Sequence, residues 1–374
     1  MSDVSDEMIR TLDRVVESHV TAAVREAAEC GPYVPQSAKL SGQFPAKLWA
    51  ALDEAGFTQI AGTGQDGDVT FGEAMDVVRR AAYHALPVPL AAVMLARHIV
   101  ARHSAAMPEA ALGLSLAAPV PAIGFKSTGK NAWRRHGVGI PVIGQGAAMA
   151  FLVAGRDDGG AERLAIIEPQ ATAWTIEANE AGEPRIRLPA INDASNTPER
   201  SNTPERMTWS AEMPGAIDHV YALGALISAV QMSGAMDRVL AHCLTWVNER
   251  VQFGKPIARF QAIQHLMAEM AAETAAASAA ADLAVEASSE RPDRFAIAVA
   301  KARTGEAAGR VAAIAHEVFG AMGFTREHAL HYSTRRLWAW RNEFGGEAYW
   351  QGEIGRQIAA GGGARLWTTL TARG

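Results

Sequence analysis

Arg250, Gln252 and Phe253 follow one another closely and are succeeded by Gly254 and Pro256. A guanidinium is a planar fork of donors that keeps its charge and pairs bidentately with phosphate oxygens. Gln252 adds a neutral donor and acceptor, Phe253 offers a flat apolar face to a ring, and Gly254 lets the backbone turn away before Pro256. Together these groups suit a pyrophosphate with an aromatic ring nearby. The plainer reading is a corner between two helices, with Phe253, Ile257 and Phe260 in the core and Arg250 a surface charge.

Other chemistry-bearing groups point less sharply. Trp338, Trp340, Phe344, Tyr349 and Trp350 cluster in a chain that is only 7% aromatic, which fits helix packing, a subunit interface or a pocket wall. The pair Arg335-Arg336 fits a phosphate contact or a solvated surface. His316, His328 and His331 lack metal-ligand spacing, Ser228 and Ser233 lack a nucleophile elbow, and neither a P-loop nor a GxGxxG after a strand is present. Cys30 and Cys243, far apart and without CxxC spacing, argue against a disulfide framework or zinc and for a reducing, cytoplasmic setting. The acidic, amphipathic N-terminus is unlike a signal peptide, and no uncharged apolar run reaches roughly 18 residues, so neither secretion nor membrane spanning is expected. A net charge of −5 with interspersed signs offers no basic face for nucleic acid, which leaves a small molecule or another protein as partner.

The elements that must position these groups change period twice along the chain. Helical spacing over residues 7–117, as in Met8, Leu12, Val15 and Val16, gives way to short alternating or apolar runs such as 149–153, 164–167 and 185–188, then returns from His219 onward. This predicts an α-rich protein of three parts: an N-terminal helical domain (1–117), a middle β domain (118–213) and a C-terminal four-helix bundle (214–374). Pro256 separates two bundle helices, Asp293 is positioned to cap a third that runs to about Val318, and a fourth follows near His328. The hexapeptide Ser195–Arg200 recurs unchanged as Ser201–Arg206; so polar a segment, with two prolines, reads as a duplicated exposed loop and not a central strand.

The run Arg250 to Ile257, continued by Phe260-Gln261-Ala262-Ile263-Gln264-His265, resembles the RxQFGxPIxxFQxxxH turn of the acyl-CoA dehydrogenase family. Gly320 to Thr325 followed by Arg335 is similar to that family's QxxGGxGY segment, and Leu48 to Phe57 to its LWxxLxxxGF helix end. The resemblance implies an acyl-CoA dehydrogenase-like fold and an FAD cofactor. It carries Arg250, Gln252 and Phe253, with Gly320 and Gly323, over as FAD contacts reaching across a subunit interface, and so implies an oligomer. The implied reaction is α,β-dehydrogenation of an acyl-CoA thioester: a carboxylate takes the α-proton, hydride passes to flavin, and electrons leave for an electron-transfer flavoprotein-like acceptor.

The chain departs from the family where the base belongs. The usual glutamate position is Phe344, in Glu343-Phe344-Gly345, and the alternative position on the earlier bundle helix is Gly224. Glu343 is the adjacent candidate base and Glu347 a more distant one, although one residue on a helix turns a side chain by about 100°. Glu317 and Ala321 replace a Gln and a Gly of the glycine-rich segment, and the middle part has no segment like those that cup the chain's own flavin. These losses resemble the non-catalytic subunit of heteromeric family members acting on bulky acyl-CoA substrates such as steroid side chains. The open readings are a working dehydrogenase, a partner subunit completing a paralogous chain's FAD site, a flavin-free structural relative, and a flavin monooxygenase-type relative on the same fold.

Overall fold

The protein is described by a computed structural model covering residues 3–29, 43–65, 68–103 and 205–371 and, between the last two, 111–115, 123–129, 132–137, 140–143, 149–169, 175–188 and 190. Two compact units divide it, Met1–Gly224 and Ala225–Gly374.

The first unit opens with helices α1 (Asp3–His19), α2 (Ala22–Ala28), α3 (Ala46–Glu54), α4 (Phe71–Tyr83) and α5 (Leu90–His103). Leu12 and Val16 of α1 are buried at the predicted helical spacing, and α4 starts at a capping box in which Thr70 and Glu73 satisfy each other's backbone amides. Asp13 ties α1 to α4 by accepting from Arg80 at 2.6 and 2.8 Å and lying 2.7 Å from His84 Nε2. Burial opposes ionisation of Asp13, but these bonds hold its carboxyl below the usual range.

Nine described strands follow: β1 (Ala111–Ser115), β2 (Ile123–Gly129), β3 (Ala132–Gly137), β4 (Ile140–Ile143), β5 (Met149–Asp157), β6 (Glu162–Pro169), β7 (Thr175–Ala178), β8 (Pro184–Leu188) and β9 (Glu205–Glu212). They form one sheet in the order β3-β2-β5-β1-β4-β8-β7, with β6 joining β5 to β9. Alternate residues of four strands, Ile123 and Phe125, Phe151 and Val153, Ala165 and Ile167, Ile186 and Leu188, make one buried cluster. In β5 and β6 the intervening Ala150, Leu152, Leu164 and Ile166 are buried too, which is why those runs read as apolar stretches in the sequence.

Two details correct the sequence reading. Residues 111–115, assigned to the helical region, are strand β1, because Ala111 to Leu114 pair in parallel with Met149 to Leu152 of β5. The second hexapeptide copy is not wholly loop: Glu205 and Arg206 open β9, opposite Pro169 and Glu168. Among the described residues the strand pairs with β6 alone, an edge position that tolerates polar residues. The rest of the repeat lies outside the described residues.

Helix α6 (Ala216–Glu249) is followed by a two-residue-per-strand hairpin, β10 (Val251–Gln252) and β11 (Lys255–Pro256), and by α7 (Gln261–Ala287), α8 (Arg294–Phe319), α9 (Leu330–Asn342), α10 (Glu347–Gly361) and α11 (Leu366–Thr371). The small residues along α7 let it pack closely on α8, burying Ala277, Ala281 and Ala284 of one and Ala298, Ala308 and Ala312 of the other. Ion pairs Arg303–Glu273 (2.6 Å) and Arg310–Glu269 flank that seam. Asp293 caps α8 as expected, accepting from the amides of Phe295 and Ala296 at 3.0 Å each. Among the described residues no helix is long and apolar enough to cross a membrane.

Candidate functional site

The corner after α6 is a strained hairpin. Val251 pairs with Pro256 and Gln252 with Lys255, leaving Phe253 and Gly254 as the two central residues, with φ of 52° and 79°. Two-residue hairpins favour such left-handed values because they match the strand twist, and they normally recruit Asn, Asp or Gly. A bulky Phe at φ above zero is an outlier. Its ring gains little within the chain: Phe253 is 92% exposed, meeting only the edge of Phe260 at 6.0 Å. Ile257 and Phe260 are half-buried, so the alternative in which these three residues form core fails within this chain. Backbone strain held for an exposed ring is the signature of a residue placed to be covered by something else.

The basic and polar neighbours share this corner. Arg250 is exposed, with its guanidinium 5.7 Å from the Trp246 ring centre, and Gln252 is exposed with Nε2 donating to the Val251 carbonyl at 2.8 Å. Lys255 Nζ lies 4.5 Å over the Phe260 ring. Two cations, one exposed ring and one half-buried ring at one turn suit an anionic ligand with a flat aromatic part.

The glycine-rich segment meets the same corner through aromatic packing. Trp246 stacks on Phe319 at 4.8 Å, the residue just before Gly320, and His328 closes the group at 4.5 Å from Phe319 and 5.2 Å from His242. Gly320 ends α8 at φ 60° and donates its amide to the His316 carbonyl, and a Cβ on Gly323 would stand 2.9 Å from Phe319 Cβ. Both glycines therefore also have local backbone reasons. His316 stacks between Phe324 (4.5 Å) and Trp338 (5.6 Å), and both of its ring nitrogens are buried without a hydrogen bond. Burial lowers its pKa, against a weaker opposing contribution from the Gly323 backbone.

The second corner, between α9 and α10, is built oppositely. Phe344 also has φ above zero, at 54°, but is buried, and its carbonyl accepts from Trp350 Nε1 at 2.9 Å. Lys301 of α8 reaches under it, fully buried, and Nζ donates to the carbonyls of Trp340 (3.2 Å), Arg341 (2.7 Å) and Gly345 (2.9 Å). Burial pushes the Lys301 pKa down to about 8, opposed by the charges of Glu347 and Glu343. The three carbonyls, two of them orphan acceptors at the end of α9, match the three protons of an ammonium.

Glu343 is the residue that ends α9, half-buried and within electrostatic reach of Lys301. Glu347 accepts from Arg341 Nε at 2.6 Å and packs so closely on α8 that a Cβ on Gly305 would meet its Oε1 at 2.5 Å. Burial raises the Glu347 pKa, but the Arg341 bond and charge outweigh it and leave the carboxyl below its usual range.

The remaining sequence candidates separate. Trp340, Phe344 and Trp350 are core, whereas Trp338 is exposed. Arg336 is buried, with Nη1 donating to the Tyr332 carbonyl at 2.9 Å, which removes the solvated reading for that residue. Cys243 is buried and its thiol pKa is pushed up to about 12 by burial, so it is an inert core thiol. Trp246, Phe319 and Lys301 were not singled out from the sequence, and His328 was weighed there only as a metal ligand.

Comparison with known proteins agrees with this geometry. Residues 218–356 match the family model described as acyl-CoA dehydrogenase, C-terminal domain. The chain is 30% identical over 225 residues to a 3-sulfinopropanoyl-CoA desulfinase of Paraburkholderia xenovorans, covering 55% of this chain and 54% of that protein. It is 29% identical over 219 residues to the acyl-CoA dehydrogenase FadE34 of Mycobacterium tuberculosis, covering 58% of this chain and 30% of that one. The matches thus span about half of the first relative's length and under a third of the second's. Among solved structures, the ChsE4–ChsE5 complex from Mycobacterium tuberculosis aligns with a TM-score of 0.79 over 96% of this chain and 98% of that chain, at 20% identity, a likeness of fold. The matched helical C-terminal part and the near-complete fold alignment lead to one statement: residues 218–356 are similar to the C-terminal domain of acyl-CoA dehydrogenases, and the chain as a whole shares the fold of the ChsE4–ChsE5 structure.

Proposed function

We propose that this chain is a subunit of an FAD-dependent acyl-CoA dehydrogenase-type oxidoreductase, and that its α6–α7 corner completes a flavin site on another chain. The observation that carries the proposal is Phe253, held at a strained φ with its ring exposed beside Arg250 and Gln252. Arg250 would pair with the pyrophosphate, Gln252 would donate to it, and Phe253 would cover an apolar part of the cofactor, with Gly320 and Gly323 allowing close approach. The flavin, when bound, supplies the hydride acceptor. The family link supports an acyl-CoA thioester as substrate and an electron-transfer flavoprotein-like acceptor.

Whether the chain has a base of its own divides two versions. Glu343 would have to take the α-proton in a self-sufficient enzyme. The partner-subunit version is favoured by Phe344, a side chain that cannot take a proton, buried at the expected base position on a corner tied by Lys301. The relative ChsE4–ChsE5 is a complex of two differently named chains, and an assembly of that kind is the one proposed.

The test is the absorbance of bound flavin in the chain purified alone and after co-expression with a paralogous chain. A yellow complex only on co-expression, lost in R250A, supports the partner version. Colourless material in both preparations, from folded protein, rejects the flavin reading. If the chain alone is yellow and turns over an acyl-CoA, E343Q should abolish most of that activity; unchanged turnover removes Glu343 as base.

A further inference from the structure

We propose that Arg97, in the first unit, anchors an oxyanion-binding site that takes a carboxylate group on its guanidinium fork. The residue lies in α5, where every side chain from Leu90 to Val100 is buried. Arg97 is 6% exposed, its Nε is buried without an acceptor, and its guanidinium makes no hydrogen bond to any described residue. A guanidinium cannot escape burial by losing its proton, so a buried Nε without an acceptor is a standing cost to the fold. The carboxylate acting on it from within the chain is Asp53. One oxygen of Asp53 is committed elsewhere: Oδ1 accepts from Thr58 Oγ1 and, at 3.0 Å, from Gln59 Nε2.

A second observation comes from the charge around that stretch of helix. His98, Arg102 and His103 follow Arg97 on α5, which contains no acidic residue, and His219 meets the His103 ring at 5.7 Å. Burial, then His103, His98 and Arg102 in that order, pull the His219 pKa down to about 4, the response of an imidazole in a positive field. The Asp68 carboxylate acts on His98 in the opposite sense, and the Thr63 amide and hydroxyl already donate to it. An anion at Arg97 would give its buried Nε an acceptor on a helix that carries cations and no acid. The small exposure admits a small ion or the end group of a longer ligand, and a carboxylate matches the fork bidentately. The proposal does not depend on the flavin reading.

The experiment is thermal unfolding of the purified full chain at pH 7.5 and fixed ionic strength, in chloride, acetate or phosphate. Acetate should raise the melting temperature by about 2 °C or more over chloride and by more than phosphate does. R97M should lose that response, and R97K, which keeps the charge and loses the fork, should lose the preference for acetate even if R97M does not fold. Equal melting of the native chain in all three salts overturns the proposal, and a larger rise in phosphate overturns the carboxylate assignment. A D53N variant as destabilised as R97M, and equally indifferent to acetate, would make Asp53 the partner in solution and also overturn it.

Discussion

Replacing Phe253 by Asn separates the stability of the chain from its assembly. A non-glycine residue at left-handed φ costs about 1–2 kcal/mol, and Asn bears that conformation far better than Phe. Against this, the exposed ring stands to lose only its edge contact with Phe260, worth about 0.5 kcal/mol. F253N should therefore leave the isolated chain as stable as before or up to about 1 kcal/mol more stable in urea unfolding. If a cofactor or partner chain covers the ring, burying a Phe side chain contributes about 1.5–3 kcal/mol, so the same variant should weaken flavin retention or association by roughly 10- to 100-fold. Equilibrium unfolding of the chain alone, with sedimentation and flavin content of the co-expressed complex, reads both effects. A loss of 2 kcal/mol or more in the isolated chain would mean that Phe253 is core after all. Unaltered assembly and flavin content would refute the idea that the strain serves a boundary between chains.

Three further outcomes follow from the two corners and the first unit. K301M leaves the carbonyls of Trp340, Arg341 and Gly345 without their buried donor, and should destabilise the second unit by about 3–5 kcal/mol in denaturant unfolding. G320A forces a Cβ onto a backbone at φ 60° and ψ −139°, a region that glycine alone adopts readily, and should cost about 1–3 kcal/mol, measurable by thermal unfolding, whether or not flavin is bound. His219 has a folded-state pKa of about 4, below the ordinary 6.5, so on acidification the unfolded chain takes up the proton first. Stability is then lost as pH falls from about 6.5 toward 4, on the order of 2 kcal/mol after allowing for partial exposure, and H219Q should flatten the difference in urea stability between pH 7 and 5.

What the sequence disclosed, and what it hid, follows from the range of the interactions involved. The helical spacing of α1, the start of α8, the alternating or apolar runs that became β5, β6 and β8, and the break at Pro256 rest on neighbours in sequence, where period and capping chemistry are legible. Strand β1 was missed because its identity depends on pairing with β5, about forty residues away along the chain. The α6–α7 corner was legible as a set of residue types, but its hairpin and the left-handed Phe253 were not, since Phe is an unusual choice there. Lys301 bonds carbonyls 39, 40 and 44 residues ahead. Its one local sign was a lysine on the buried stripe Ile297, Ala298, Thr304, Gly305 and Ala308, where a charge needs a partner. The link from Trp246 to Phe319 is a contact between helix ends and left no local trace.

The two strained phenylalanines give the strongest physical reason for treating the corners differently. Phe253 and Phe344 have nearly the same φ, 52° and 54°, so each carries a similar backbone penalty. At Phe344 the penalty is offset inside the chain by a buried ring, the Trp350 bond and the Lys301 tie to the carbonyl of the next residue, Gly345. Nothing comparable offsets it at Phe253, whose ring lies open beside a cation and an amide. A corner that is already balanced resists rearrangement, and opening it to bring Glu343 toward a substrate would break three charged hydrogen bonds at about 1.5–3 kcal/mol each. A corner that is not balanced gains when it is covered. The expected division of labour is therefore a closed α9–α10 corner and an α6–α7 corner that binds. Hydrogen exchange on the assembled complex checks it: amides of residues 250–257 should slow by at least tenfold on assembly, while those of 341–346 should already be slow in the chain alone. Fast exchange at 341–346 in the isolated chain would overturn the argument, because it would mean the Lys301 tie does not hold.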